Sequence, residues 1–120
     1  MRPEDADLPA RVRAHLARLT PAQVPITYRD LANGLGLRPP HTIHRVALAL
    51  EATMRADVEA GRPLIAALVI SKTGGGVPQE GFFELAATLG RLPAEPGAAV
   101  AAYRHEFDAA VRHYLAAGSA

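Results

Sequence analysis

Apolar positions along the chain fall into helical stripes separated by proline and glycine breaks. Leu8, Val12, Leu16 and Leu19 recur at spacings of four, four and three, which predicts a first amphipathic helix with Asp7 at its N-cap and Pro9 in its first turn. Thr20-Pro21 and Val24-Pro25 end it, because a residue before proline is pushed out of the helical region. Ile26 then forms a short extended segment. Thr27 followed by Asp30 is a capping-box-like start, with Asp in the place of the usual Glu, and opens a short helix from Tyr28 to Leu35. That helix buries Leu31, Ala32 and Leu35 and stops at Gly36.

After the tight connector Leu37-Arg38-Pro39-Pro40, the residues Ile43, Val46, Leu50 and Met54 mark a longer helix that starts near Pro40 and stops at Gly61, ahead of Pro63. Leu64 to Ile70 is apolar throughout, which suits a strand buried on both faces, with Ile26 as its ladder partner. Lys72 to Gly81 carries four glycines and a proline and reads as an exposed, mobile loop. Phe82, Leu85, Ala86 and Leu89 return to helical spacing and end at Gly90, although Phe82-Phe83 also fits a strand returning from the loop. Leu92 to Gly97 is a linker. Beyond it Val100, Tyr103, Phe107, Ala110 and Tyr114, broadened by Val111, form the stripe of a last helix, with Asp108 and Arg112 spaced for an exposed ion pair. The tail Gly118-Ser-Ala120 is expected to fray.

The pattern predicts a mainly α fold with a small β element, of the α+β class. At 120 residues it is one domain: residues 1–92 form the core with strand and glycine loop, and residues 93–120 supply a linker and a C-terminal helix packed on it. The chain has no cysteine, which excludes disulfides, zinc-cysteine sites and thiol nucleophiles and favours a cytoplasmic setting. The longest apolar run falls far short of the roughly 20 residues that cross a bilayer. The acidic start Glu4, Asp5, Asp7 is unlike a signal peptide, so no membrane partner is expected.

Charge changes the picture more than composition does. The formal net charge is only +1, yet residues 8–49 carry Arg11, Arg13, Arg18, Arg29, Arg38 and Arg45 against Asp30 alone, while the remainder is acidic. Such a basic half attracts phosphates over the short range that salt leaves unscreened, which makes double-stranded DNA the expected partner.

A short helix, a turn and a longer helix, then a strand and a glycine-rich loop, resemble the order of winged helix-turn-helix DNA-binding domains. The helix starting near Pro40 would be the recognition helix, exposing His41, Thr42, His44, Arg45 and Ala49. Arg45 is placed to fork onto a guanine, Thr42 and His44 to reach base edges or backbone, and Arg29 and Arg38 to meet flanking phosphates. Lys72 and the glycines after it would act as a wing.

The stretches Val24-Pro-Ile-Thr-Tyr-Arg-Asp-Leu-Ala32, Arg38-Pro-Pro40 and Arg45-Val-Ala-Leu-Ala-Leu50 resemble the DNA-binding part of the alkylguanine alkyltransferases and alkyltransferase-like proteins, over about residues 24–90. The resemblance implies that Tyr28 contacts DNA backbone, that the recognition helix enters the minor groove and that His44 stands at the wedge arginine's position, with Arg45 one residue away. Where that family has Pro-Cys-His-Arg or a substituted version, this chain has Leu68-Val-Ile-Ser-Lys-Thr73. It has no methyl acceptor, so the resemblance implies binding without catalysis.

Other chemistry is sparse. Lys72-Thr73-Gly74 matches one element of serine acyl-transfer enzymes, but no Ser-x-x-Lys nucleophile precedes it. His41 and His44 are three residues apart on one helix without a third ligand nearby in sequence, so neither metal nor cofactor is expected. The aromatic stripe of the last helix is core first, but it could also pair two copies across a two-fold axis, giving a homodimer on two half-sites. The expectation is a non-enzymatic DNA-binding protein acting in transcription or on the chromosome. The alternative is a protein-interaction adaptor on the same scaffold, using the exposed helix face and the glycine loop.

Overall fold

The computed structural model describes residues 2–73 and 75–115. Gly74 and the tail expected to fray, Gly118 to Ala120, lie outside them. A 3-10 turn, Pro3–Asp5, leads into helix α1, Leu8–Ala17. Its stripe Leu8, Val12 and Leu16 is fully buried, and Leu19 beyond its end is half-buried. Asp7 occupies the N-cap, but its side chain makes no capping bond; its carbonyl accepts from the Arg11 N–H at 3.1 Å. A second 3-10 turn, Pro21–Gln23, brings the chain to strand β1, Ile26–Thr27, and helix α2, Tyr28–Gly34, follows directly. Thr27 Oγ1 accepts from the Asp30 N–H at 3.1 Å, the half of the capping box that threonine supplies.

Helix α2 lies close to α1 because Gly34 has no side chain: a Cβ there would stand 2.7 Å from the His15 ring. Arg11 on α1 donates to the Leu35 carbonyl at 2.7 Å, placing a cation at the C-terminal end of α2, where the helix dipole favours one. Helix α3, Thr42–Ala60, buries Val46, Ala49, Leu50 and Met54 against both. It ends at Gly61, whose φ of 71° turns the chain back so that the Arg62 N–H reaches the Asp57 carbonyl at 2.8 Å.

The apolar run departs from the expected seven-residue strand. Ile65–Leu68 is a 3-10 turn, and only Val69–Ile70 forms strand β2. Both conformations keep the run buried, and a short apolar run cannot distinguish them. Ile26 is the expected ladder partner: β1 and β2 pair parallel, Ile26 with Val69 and Thr27 with Ile70. A parallel pair with two helices between its strands is not the antiparallel hairpin of a wing. The glycine-rich loop that follows β2 is closed by a bond from the Ser71 N–H to the Val77 carbonyl, 2.9 Å.

Helix α4, Glu80–Thr88, bears out the helical reading of the Phe82 segment over the strand alternative. Helix α5, Pro96–Ala110, runs on through a π turn, Val111–Leu115. Glu95 caps α5 by accepting from the Gly97 and Ala98 N–H groups at 3.1 and 2.7 Å, bonds that hold its carboxyl below the usual range. The aromatic stripe faces this chain's own core. Tyr103 meets Phe82 and Phe83 edge-on at centroid distances of 5.9 and 6.0 Å, and its hydroxyl donates to the Ala67 carbonyl at 2.8 Å. Of the stripe, Tyr103 and Ala110 are buried in this core, and Val100, Phe107 and Tyr114 are half-buried. The expected Asp108–Arg112 pair is not among the ion pairs of the described residues.

Between α3 and β2 the chain is buried and irregular, so its backbone groups need side-chain partners. The Arg62 carbonyl accepts from Arg91 at 2.8 Å and the Pro63 carbonyl from the Tyr114 hydroxyl at 2.7 Å. The Leu64 N–H donates to Glu106 at 2.8 Å and the Ile65 N–H to Asp57 at 3.0 Å. Asp57, fully buried, also accepts from Arg62 at 3.0 Å and is ion-paired with Arg13 at 2.9 Å, and so ties α1, α3 and this segment together. Removing one partner of such a buried ionic group costs about 3–5 kcal/mol. Asp57→Ala is therefore expected to lower unfolding stability by about that amount in a urea titration. A loss below about 1 kcal/mol would contradict the role given to this carboxylate.

Candidate nucleic-acid interface

The carboxyl ends of β1 and β2 point the same way because the strands are parallel. Tyr28 and Arg29 leave the end of β1, and Ser71, Lys72 and Thr73 leave the end of β2. Together with Ile43 from the first turn of α3 and Gln79 they line a cleft of about 220 Å³. Crevices outside the carboxyl ends of parallel strands are common ligand positions. Arg29 and Lys72 are exposed, and neither is in an ion pair among the described residues. No carboxylate lines this cleft, whereas hydroxyl and amide groups of Ser71, Thr73 and Gln79 do. Two cations with neutral donors are the groups that a phosphate diester takes.

Tyr28 forms the cleft's floor rather than a projecting contact. It is 5% exposed, and its hydroxyl oxygen accepts from the Gln79 N–H at 3.0 Å. Burial pushes its hydroxyl up to about 12, against the opposing Gln79 bond and with help from the nearby Glu51 charge. Its structural service is to bind the end of the glycine-rich loop to the start of α2.

The residues expected on the recognition helix sit in a second place. His41 and His44 are exposed, and with Arg2, Asp5, Arg45 and Leu48 they line a separate shallow hollow of about 260 Å³. His41 begins α3 in the left-handed region, φ 61°, a conformation that side chains other than glycine seldom take. Thr42 is half-buried, and Ala49, expected at the surface, is fully buried. Arg38 is exposed on the connector, within reach of α3 through its carbonyl, which accepts from Arg45 Nη1 at 3.1 Å.

Arg45, expected to fork onto a guanine, forks onto Asp5 instead. Its Nε and Nη2 donate to the two carboxylate oxygens at 2.9 and 2.7 Å, and both side chains are largely buried. These bonds hold the Asp5 carboxyl below the usual carboxylate range and the Arg45 guanidinium above its ordinary value. A base contact by Arg45 would require this pair to open. Nothing in the sequence distinguishes Asp5 from Glu4 and Asp7, so the pairing was not legible there.

The basic half is thus less open than its count implies. Arg13 and Arg45 are taken by Asp57 and Asp5, which leaves Arg11, Arg18, Arg29 and Arg38 without a carboxylate partner among the described residues, and Arg11 is held by the Leu35 carbonyl. Ser71, Thr73 and Gln79 had no sequence signal of their own; their position after β2 brings them in. Among the described residues no three His, Asp or Glu side chains are placed to hold a metal ion, and no helix is long and apolar enough to cross a membrane. Comparison with protein-family models, curated proteins and solved structures finds no match to this chain.

The chain has three tyrosines, and burial raises all three hydroxyls. In the unfolded chain they ionise near pH 10, whereas folded Tyr28 holds its proton to about 12. Stability is therefore expected to be undiminished by this group below about pH 10 and to fall between about pH 10 and 12. Tyrosinate absorbance of the folded protein should show no group at the ordinary value, and Tyr28→Phe should soften the alkaline loss of stability. A folded-state tyrosine ionising near pH 10 would contradict the buried placement.

Proposed function

We propose that this chain is a non-enzymatic double-stranded-DNA-binding protein of the helix-turn-helix kind, acting as a transcriptional or chromosome-associated factor. Arg29 and Lys72 hold a backbone phosphate in the cleft at the strand ends, and the start of α3 lies along the adjoining groove. The observation that carries this reading is the convergence of two exposed, carboxylate-free cations with Ser71, Thr73 and Gln79 beside the first turn of α3. Arg38 on the connector supplies a further phosphate contact, while His41, Thr42 and His44 are the side chains available to base edges or flanking backbone.

The resemblance to alkyltransferase-like proteins supports the same reading. Thr27-Tyr28 opens the short helix, the longer helix follows, and a glycine-containing loop borders the cleft, in the order the resemblance implies. With no cysteine in the chain, the proposal is for binding alone. Because the two strands are parallel, the wing in this reading is the glycine-rich loop after β2 and not an antiparallel hairpin.

Titration of fluorescent duplex DNA at several salt concentrations tests it. Affinity is expected to fall steeply with salt, and Arg29→Ala and Lys72→Ala are each expected to weaken binding to all sequences alike and to reduce the salt slope by about 1. Arg45→Ala should instead lower the unfolding midpoint through loss of the Asp5 pair. No binding at about 50 mM salt, or Arg29 and Lys72 variants with an unchanged slope, would overturn the reading.

A further inference from the structure

Away from the cleft, α4 and α5 enclose a groove of about 600 Å³. Phe83 and Ala87 from α4, Val100 from α5 and Val77 from the end of the glycine-rich loop line it, all half-buried and apolar. Its remaining walls include exposed Glu80 and Glu84, and no basic side chain lines it. Neither glutamate is in an ion pair among the described residues. Glu80 lies in the first turn of α4, where the helix dipole favours a carboxylate; Glu84, one turn further, has no such reason, and like charges at that spacing repel. An apolar trough edged by two carboxylates in no ion pair, with no arginine lining it, calls for apolar anchors flanked by cations.

We propose that this groove docks an amphipathic helical segment of a partner protein, its apolar side chains entering between α4 and α5 and its lysines or arginines facing Glu80 and Glu84. A groove between two helices suits a helix that presents one face at i, i+3, i+4 spacing. DNA is excluded as the occupant because the carboxylates repel phosphate. A second copy presenting the same groove across a two-fold axis is disfavoured because it would set Glu80 and Glu84 against their own copies. This surface shares no lining residue with the cationic cleft, although Gln79 of the cleft lies between Pro78 and Glu80 of the groove, and the inference does not rest on DNA binding. It gives the chain a means of joining a partner while the cleft remains open.

The probe is a display library of random peptides of about 15 residues, long enough for an isolated helix to form in part. Selection on the full chain is expected to enrich peptides with aliphatic or aromatic residues at helical spacing and with Lys or Arg on the flanks. The best such peptide, synthesised with a fluorophore, is expected to lose affinity roughly fivefold on the double variant Glu80→Gln/Glu84→Gln. It should lose binding altogether on Val100→Glu, while duplex DNA does not displace it. Folding of each variant is checked by circular dichroism, and the glutamine pair, being exposed and isosteric, keeps the test valid if Val100→Glu fails to fold. Failure to enrich any peptide, enrichment of peptides without cations, displacement by DNA, or undiminished binding to the glutamine pair would each overturn the inference. So would self-association in sedimentation that the same variants abolish.

Discussion

The Asp57 carboxylate joins α1, the end of α3 and the segment before β2 at one buried point. It is fully buried, and its charge is met by the Arg13 guanidinium and by hydrogen bonds from Arg62 and the Ile65 N–H. Those partners come from α1, from just beyond the C-cap of α3 and from the segment that leads to β2. Together with Glu106, Arg91, Tyr103 and Tyr114, the carboxylate fixes a stretch of chain that has no helix or sheet to satisfy its backbone. The position of β2 follows from that clamp, and the position of the loop after β2 follows in turn.

The same chemistry divides the arginines into two groups. Those within reach of Asp5, Asp57 and Glu106 hold elements together, and a guanidinium forked onto a carboxylate is not available to a ligand. Among the cations in no ion pair of the described residues, Arg29 and Lys72 lie at the strand ends and Arg38 on the connector. Glu80 and Glu84, which are in no ion pair among the described residues, line the apolar groove, whereas no carboxylate lines the cleft that holds Arg29 and Lys72.

The helices were legible because their stripes and stops are strong: Leu8, Val12 and Leu16; Val46, Leu50 and Met54; and Gly61 at a left-handed turn. The pairing of Ile26 with the apolar run was also legible, from its position between two breaks. The conformation of Leu64 to Leu68 was not, since burial on every side erases the period that separates strand from 3-10 turn. Nor was the use of Arg45. Its helical position places it near the candidate surface, but its partner lies 40 residues away in a segment of three similar acids. Tyr28 shows the same limit: the residue that the resemblance marks for contact is mostly occupied with holding Gln79. Of the site, therefore, the neighbourhood was readable in the sequence, while the division between structural and free cations required the fold.

In the proposed function, phosphate settles against Arg29 and Lys72 at the carboxyl ends of the parallel strands. Amide chemical shifts of labelled protein, followed by NMR as duplex DNA is added at low salt, address it most directly. The account requires the largest changes at Arg29, at Ser71 to Thr73 and at the connector and first turn around Arg38 to His44, with α4 and α5 little affected. Changes confined to α4 and α5, or a spectrum unaltered by saturating DNA, would contradict it.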